Sequence, residues 1–157
     1  MKKVLLAFAI MFSVTSFAQE IEHPACDGPE LTPYVASGIS IPNTNDFKAG
    51  SYMSAEVGLM IDNFTVAGVF GVNNLNSFNV GIDGYWYEGK VAYSFPLGYV
   101  DGYGVFGVGS YIGTSGSVFI EYGGGIMKSF NDHVGAFIQV SSWDGITYMT
   151  PGLSYSF

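Results

Sequence analysis

The sequence predicts an all-β fold, a transmembrane antiparallel up-and-down β-barrel of eight strands. Three observations carry that expectation. Segments of about 9–11 residues alternate apolar with small or polar side chains at a period of two, as strands with two unlike faces do. Only 11% of residues are charged, against about 25% in ordinary soluble domains, and a water-soluble β domain needs more charge to cover its outside. The charges that do fall within strands lie on the face opposite the aliphatic side chains of the same strand.

The 157 residues suffice for one domain. Met1-Lys-Lys, an apolar run from Val4 to Phe12, and Ser16-Phe17-Ala18 read as a secretory signal peptide, residues 1–18, cleaved after Ala18. The run is too short for a spanning helix of roughly 20 residues. Later stretches are all interrupted by Gly, charge or polar groups, so insertion must be by strands. Residues 19–30 are polar, acidic and Pro-containing, and read as a periplasmic lead-in; residues 31–157 form the barrel. Loss of Lys2 and Lys3 with the signal leaves three basic groups against 13 acidic ones, with no arginine. Nucleic acid and anionic surfaces are thereby excluded as partners, since both require a basic footprint. Cys26 is the only cysteine, so no intramolecular disulfide can form. His23-Pro-Ala-Cys26 lacks the apolar residue of a lipid attachment site, leaving a plain thiol or an intermolecular bridge.

The strands follow in order. Leu31 to Ile41 is ended by the loop composition Pro42-Asn-Thr-Asn-Asp46. In Ser51 to Ile61, Met53, Ala55, Val57, Leu59 and Ile61 oppose Tyr52, Ser54, Glu56, Gly58 and Met60. Asp62-Asn63 turns tightly into Phe64 to Val72. Tyr85 to Pro96 sets Tyr85, Tyr87, Gly89, Val91, Tyr93 and Phe95 against Trp86, Glu88, Lys90, Ala92 and Ser94. Leu97 to Asp101 turns into Gly102 to Ile112, and Gly113-Thr-Ser-Gly116 into Ser117 to Met127. Lys128 to Asp132 is a turn. His133 to Ser142 sets Val134, Ala136, Ile138 and Val140 against Gly135, Phe137, Gln139 and Ser141. Trp143-Asp-Gly145 leads into the last strand, Ile146 to Phe157.

The Asn-rich stretch Asn73 to Gly84 reads two ways, because Phe78 to Ile82 has the makings of a short strand. Parity decides: nine spanning strands would put the two chain ends on opposite sides of the membrane. Single-chain bacterial barrels have an even count, with short periplasmic turns and longer external loops. Asn73 to Gly84 is therefore expected to be an external loop, and so is Pro42 to Gly50.

Facing follows from cost. Glu56, Glu88, Lys90, Glu121 and Gln139 all oppose the aliphatic set of their strand. A Lys on the lipid face near the midplane costs roughly 2–4 kcal/mol, and a one-residue slip would put all five in hydrocarbon. Apolar-out and polar-in is the expected arrangement, the inverse of a soluble ligand-binding barrel. The inward set is mostly Gly, Ser, Ala and Thr with a few acids, suited to a narrow packed lumen. Tyr52, Tyr85, Tyr87, Tyr111, Tyr155 and Phe157 lie near strand ends, where aromatic girdles sit.

The final strand carries Gly152, Tyr155 and Phe157 at fixed offsets and stops on an aromatic residue. It resembles the C-terminal signature of the small outer-membrane β-barrel proteins of Gram-negative bacteria. The resemblance covers nearly all of the mature chain. It implies residence in the outer membrane after export, lipid as surroundings, and a last strand read by the barrel-assembly machinery.

Chemistry is sparsely marked. Glu56, Glu88, Lys90 and Glu121, with Gln139, are expected either to form an ion-pair cluster that plugs or gates the lumen or merely to solvate it with trapped water. Some barrels of this kind are lipid-modifying enzymes with a Ser, a His and an acid in reach. Here only His23 and His133 are available, with Ser129 near the latter, and a solvated turn histidine is the better reading. No catalytic residue, cofactor motif or metal-ligand spacing is assigned. Gly123-Gly-Gly125 is mid-strand and is no phosphate loop. Trp86 and Trp143 read as girdle or lumen packing. The expected role is structural or surface-interacting, the alternative a narrow porin-like channel.

Overall fold

The computed structural model describes residues 31–43, 51–73, 84–112 and 117–157. The signal peptide, the lead-in, Cys26, His23 and the Phe78–Ile82 question lie outside them. Eight strands are present: β1 (Leu31–Pro42), β2 (Tyr52–Ile61), β3 (Phe64–Asn73), β4 (Tyr85–Pro96), β5 (Asp101–Ile112), β6 (Val118–Ser129), β7 (Val134–Trp143) and β8 (Ile146–Ser156). Each pairs antiparallel with the next, and β1 pairs with β8, so the sheet closes into a barrel with no free edge. β3 pairs directly with β4, so the barrel count is eight.

Local sequence explains the hairpins. Asp144 and Gly145 take φ of 50° and 76°, and Asp-Gly is the pair that best tolerates two left-handed residues in a two-residue turn. Asp62, at φ 52°, starts the two-residue turn between β2 and β3. Strand ends differ from expectation by one or two residues. β6 runs on through Lys128 and Ser129, which continue the ladder against Ala136 and Gly135. That shortens the following turn to Phe130–His133, where the Asn131 side chain accepts the backbone N–H groups of His133 and Val134.

Facing agrees with the sequence. Val57, Val66, Val91, Val108, Ile120, Ile138, Val140, Met149 and Leu153 are exposed on the outside, while Glu88, Glu121, Gln139 and Thr150 are buried within. Among the described residues, Lys128 is the one charged side chain on the outward face of a strand, and it sits at the end of β6. Phe70 and Tyr85 stack at one end of the outer surface, and Phe64 and Tyr93 pack edge to face at the other. Two girdle expectations are corrected. Tyr52 and Tyr111 turn inward, onto a buried aromatic cluster, because their parity places them on the lumen face of β2 and β5.

This outside is a solvent statement that can be tested. Val91 is 48% exposed in the middle of β4. Val91→Lys is expected to cost about 2–4 kcal/mol in equilibrium unfolding from lipid vesicles. A loss within about 0.5 kcal/mol, ordinary for a water-facing position, would mean that the outside meets water.

Candidate functional site: the barrel lumen

The lumen is stacked in three levels, and register fixes their order. The level beside the long connections is aromatic. Trp86, Phe119, Trp143 and Tyr148 are buried with Val69, and Tyr52, Tyr111 and Ile146 pack on them. Ring centroids lie 4.8 Å apart for Trp86–Trp143 and for Trp143–Tyr148, and 5.2 Å for Phe119–Trp143. These are edge-to-face contacts that fill the section, and at the exposed rim Tyr111 donates to Asp144 Oδ2 of the β7–β8 turn at 2.9 Å. The small-residue lumen foreseen from the sequence thus needs correcting: one end is filled by large rings. Close backbone approach makes room for them. A Cβ at Gly71 would collide with the Trp86 indole.

The middle level holds the predicted polar residues, split into two groups. Lys90 donates to Glu56 Oε2 and Tyr34 donates to Glu56 Oε1, an ion pair with a phenol completing it. Glu121 Oε1 accepts from Gln139 Nε2 at 2.8 Å and from Ser141 Oγ at 2.5 Å. Glu88 stands between the groups, 3% exposed, and its Oε1 has no hydrogen-bond partner. In the ladder Gly107 pairs with Lys90 on one side and Glu121 on the other. A Cβ there would collide with Glu88 Oε1, so the carboxyl lies over bare backbone. Gly107→Ala is expected to displace Glu88 and cost about 1–3 kcal/mol as overpacking, read as a lower unfolding midpoint. An unchanged midpoint would mean that Glu88 swings aside freely.

Sequence reasoning missed Tyr34, Ser141 and the Ser40–Thr150 hydroxyl pair, 2.8 Å apart across β1 and β8. Inward parity was their only signal, and it does not say which of many inward hydroxyls meets a partner.

The third level is open. A cavity of about 120 Å³ enters from the short-turn end, between Ser94, Ser129, Asp132 and His133, and stops at Tyr34, Glu56 and Lys90. His133 is exposed at this mouth, its Nδ1 3.0 Å from the Ser156 carbonyl and its ring stacked on Tyr155. Both contacts hold the turn against the last strand. Of the three C-terminal residues that the sequence reading singled out, Tyr155 is exposed outside, whereas Gly152 faces Phe137, whose ring a Cβ would strike. Phe157 donates its N–H to the Pro33 carbonyl, closing β8 onto β1.

No family model matches the chain, and no curated protein does either. Among solved structures, the N-terminal β-barrel domain of Pseudomonas aeruginosa OprF is similar at TM-score 0.65, with 12% identity over 80% of this chain and 97% of that one. A de novo designed transmembrane β-barrel gives 0.60, with 13% identity over 80% and 95%. Neisserial surface protein A gives 0.51, with 13% identity over 83% and 100%. At such identities the likeness is one of fold.

Proposed function

We propose that this chain is an outer-membrane β-barrel with a packed polar lumen and a structural or surface-interaction role. One observation carries the placement: a closed barrel whose aliphatic side chains face outward and whose strand carboxylates are buried inside. In water that arrangement wastes the hydrophobic effect on both faces; in lipid it satisfies both. The fold shared with a designed transmembrane barrel and with a bacterial surface protein supports it. On this reading the protein is exported, loses residues 1–18, and is assembled through its last strand. Lipid is its surroundings, and the long connections are its contact surface.

The filled aromatic level supports a plugged barrel over a pore. The narrow channel remains the second reading, favoured by the cavity that reaches Lys90 from the short-turn end. Planar-bilayer conductance, with insertion confirmed by a boiled-versus-unboiled gel shift, separates them. Inserted, silent protein is expected. Steady steps that change with Glu88→Ala would make it a pore, and protein that stays in solution without a gel shift would overturn the membrane placement.

A further inference from the structure

Among the described residues, every strand pair of the barrel runs in unbroken register except one, β1 with β8. That register holds from Tyr34 with Ser156 to Gly38 with Gly152, and resumes only at Ile41 with Met149. Ile39 and Ser40 therefore stand opposite Pro151 and Thr150 without pairing. Hydrogen-bond parity gives the reason. Phe157 donates its N–H across this seam to the Pro33 carbonyl, whereas Ser156 donates the other way, to the His133 carbonyl. Thr147, of the same parity as Phe157, accepts across the seam from Asn43. Backbone groups point to alternate sides along an antiparallel strand, so position 151 also points at β1. A proline there has no N–H to give, and the Ile39 carbonyl opposite it loses its donor. On the β7 side Pro151 costs nothing, because Thr150 and Gly152 carry the bonds and that ladder is continuous.

The gap lies at mid-depth. Pro151 is at the centre of β8, and both Pro151 and Ile39 are exposed on the outer face. In hydrocarbon a backbone carbonyl finds no water as a substitute donor. Side chains add little across this stretch. Gly38 and Gly152 have none, and the Phe137 ring lies over them on the lumen side. Ser40 and Thr150 meet through their buried hydroxyls, 2.8 Å apart. Behind that pair is a second, smaller pocket of about 30 Å³, with Ser40, Thr150, Phe137 and Gln139 in its wall. We propose that the barrel opens sideways at this point: the β1–β8 seam parts locally at Ile39 and Pro151, with the Ser40–Thr150 hydroxyl pair as its latch, and connects the hydrocarbon of the bilayer with the lumen at Ser40. The proposal rests on the membrane placement above. The side opening is separate from the mouth between the short turns, and it leaves the aromatic level closed.

The test is labelling of a reporter thiol, Ser40→Cys, in protein carrying Cys26→Ser and refolded into phosphatidylcholine vesicles, with insertion checked by gel shift. A maleimide on a long alkyl chain, confined to the bilayer, is compared with a charged maleimide present on both faces. The alkyl reagent is expected to label the thiol faster than the charged one. Pro151→Ala, which returns a donor to the Ile39 carbonyl, is expected to slow that labelling about tenfold, the equilibrium share of one hydrogen bond. Ser141→Cys, as deeply buried on the lumen face of β7, is expected to resist the alkyl reagent. Equal labelling at positions 40 and 141 would mean that the whole barrel breathes, and labelling by the charged reagent alone would mean entry by the short-turn mouth; either overturns the seam. So would a thiol that neither reagent reaches, or a rate that Pro151→Ala does not change. Protein without a gel shift would overturn the membrane placement itself, and the lateral route with it.

Discussion

Lys90→Met is expected to destabilise the folded barrel by about 3–5 kcal/mol, because it strips the cation from a buried carboxylate and leaves the charge behind. Glu56 then keeps only the Tyr34 hydroxyl. The pair sits with each side chain 12% exposed, so solvent screening discounts little of this. The double variant Lys90→Met/Glu56→Gln is expected to recover most of the loss, since it removes the uncompensated charge along with its partner. Equilibrium unfolding by guanidinium from vesicles measures both. A single-variant cost below about 1 kcal/mol would put the pair in the class of solvated surface bridges, and the lumen would then be wetter than its burial indicates.

Trp143→Ala carries an effect of similar size, about 3–5 kcal/mol, for a different reason: it removes a ring and leaves a cavity. Trp143 is 4% exposed and touches Tyr52, Trp86, Phe119 and Tyr148. Four strands, β2, β4, β6 and β8, would lose their common contact at once. The same substitution is expected to open the blocked end, so a silent barrel should begin to show ion steps. Phe70→Ala is the control, because Phe70 stacks on Tyr85 at the outer surface and is 47% exposed. Equal losses for Trp143→Ala and Phe70→Ala would show that the aromatic level is not a core. Instability without conductance would show that the remaining rings close the gap.

Much of this barrel was legible along the chain. Strands β2 and β4 announced their faces through Glu56, Glu88 and Lys90, each opposite a run of aliphatic residues. Side-chain period fixes inside and outside for any strand with one costly face. The turn at Asp144-Gly145 was equally plain, since few pairs accept two positive φ values. The lumen's division was not legible. Tyr52 and Tyr111 looked like girdle residues by their nearness to strand ends although their parity is inward, and the packing of Tyr52 on Trp143 and of Tyr111 on Phe119 shows that they belong to the lumen's aromatic level. Small residues dominate the inward list by number, yet four rings fill one end by volume.

What the sequence alone determined, then, is the parity of each strand, its approximate span and the number that closes the sheet. These are local quantities, set by a two-residue period and by the cost of charge in an apolar surrounding. What only the tertiary structure decided is height and company. Glu56 meets Lys90, 34 residues on, and Ser40 meets Thr150, 110 residues on. Inward parity is common to all four, but the level at which each enters the lumen depends on the stagger accumulated around a closed sheet. That stagger belongs to the ladder of pairings as a whole, and no single strand encodes it.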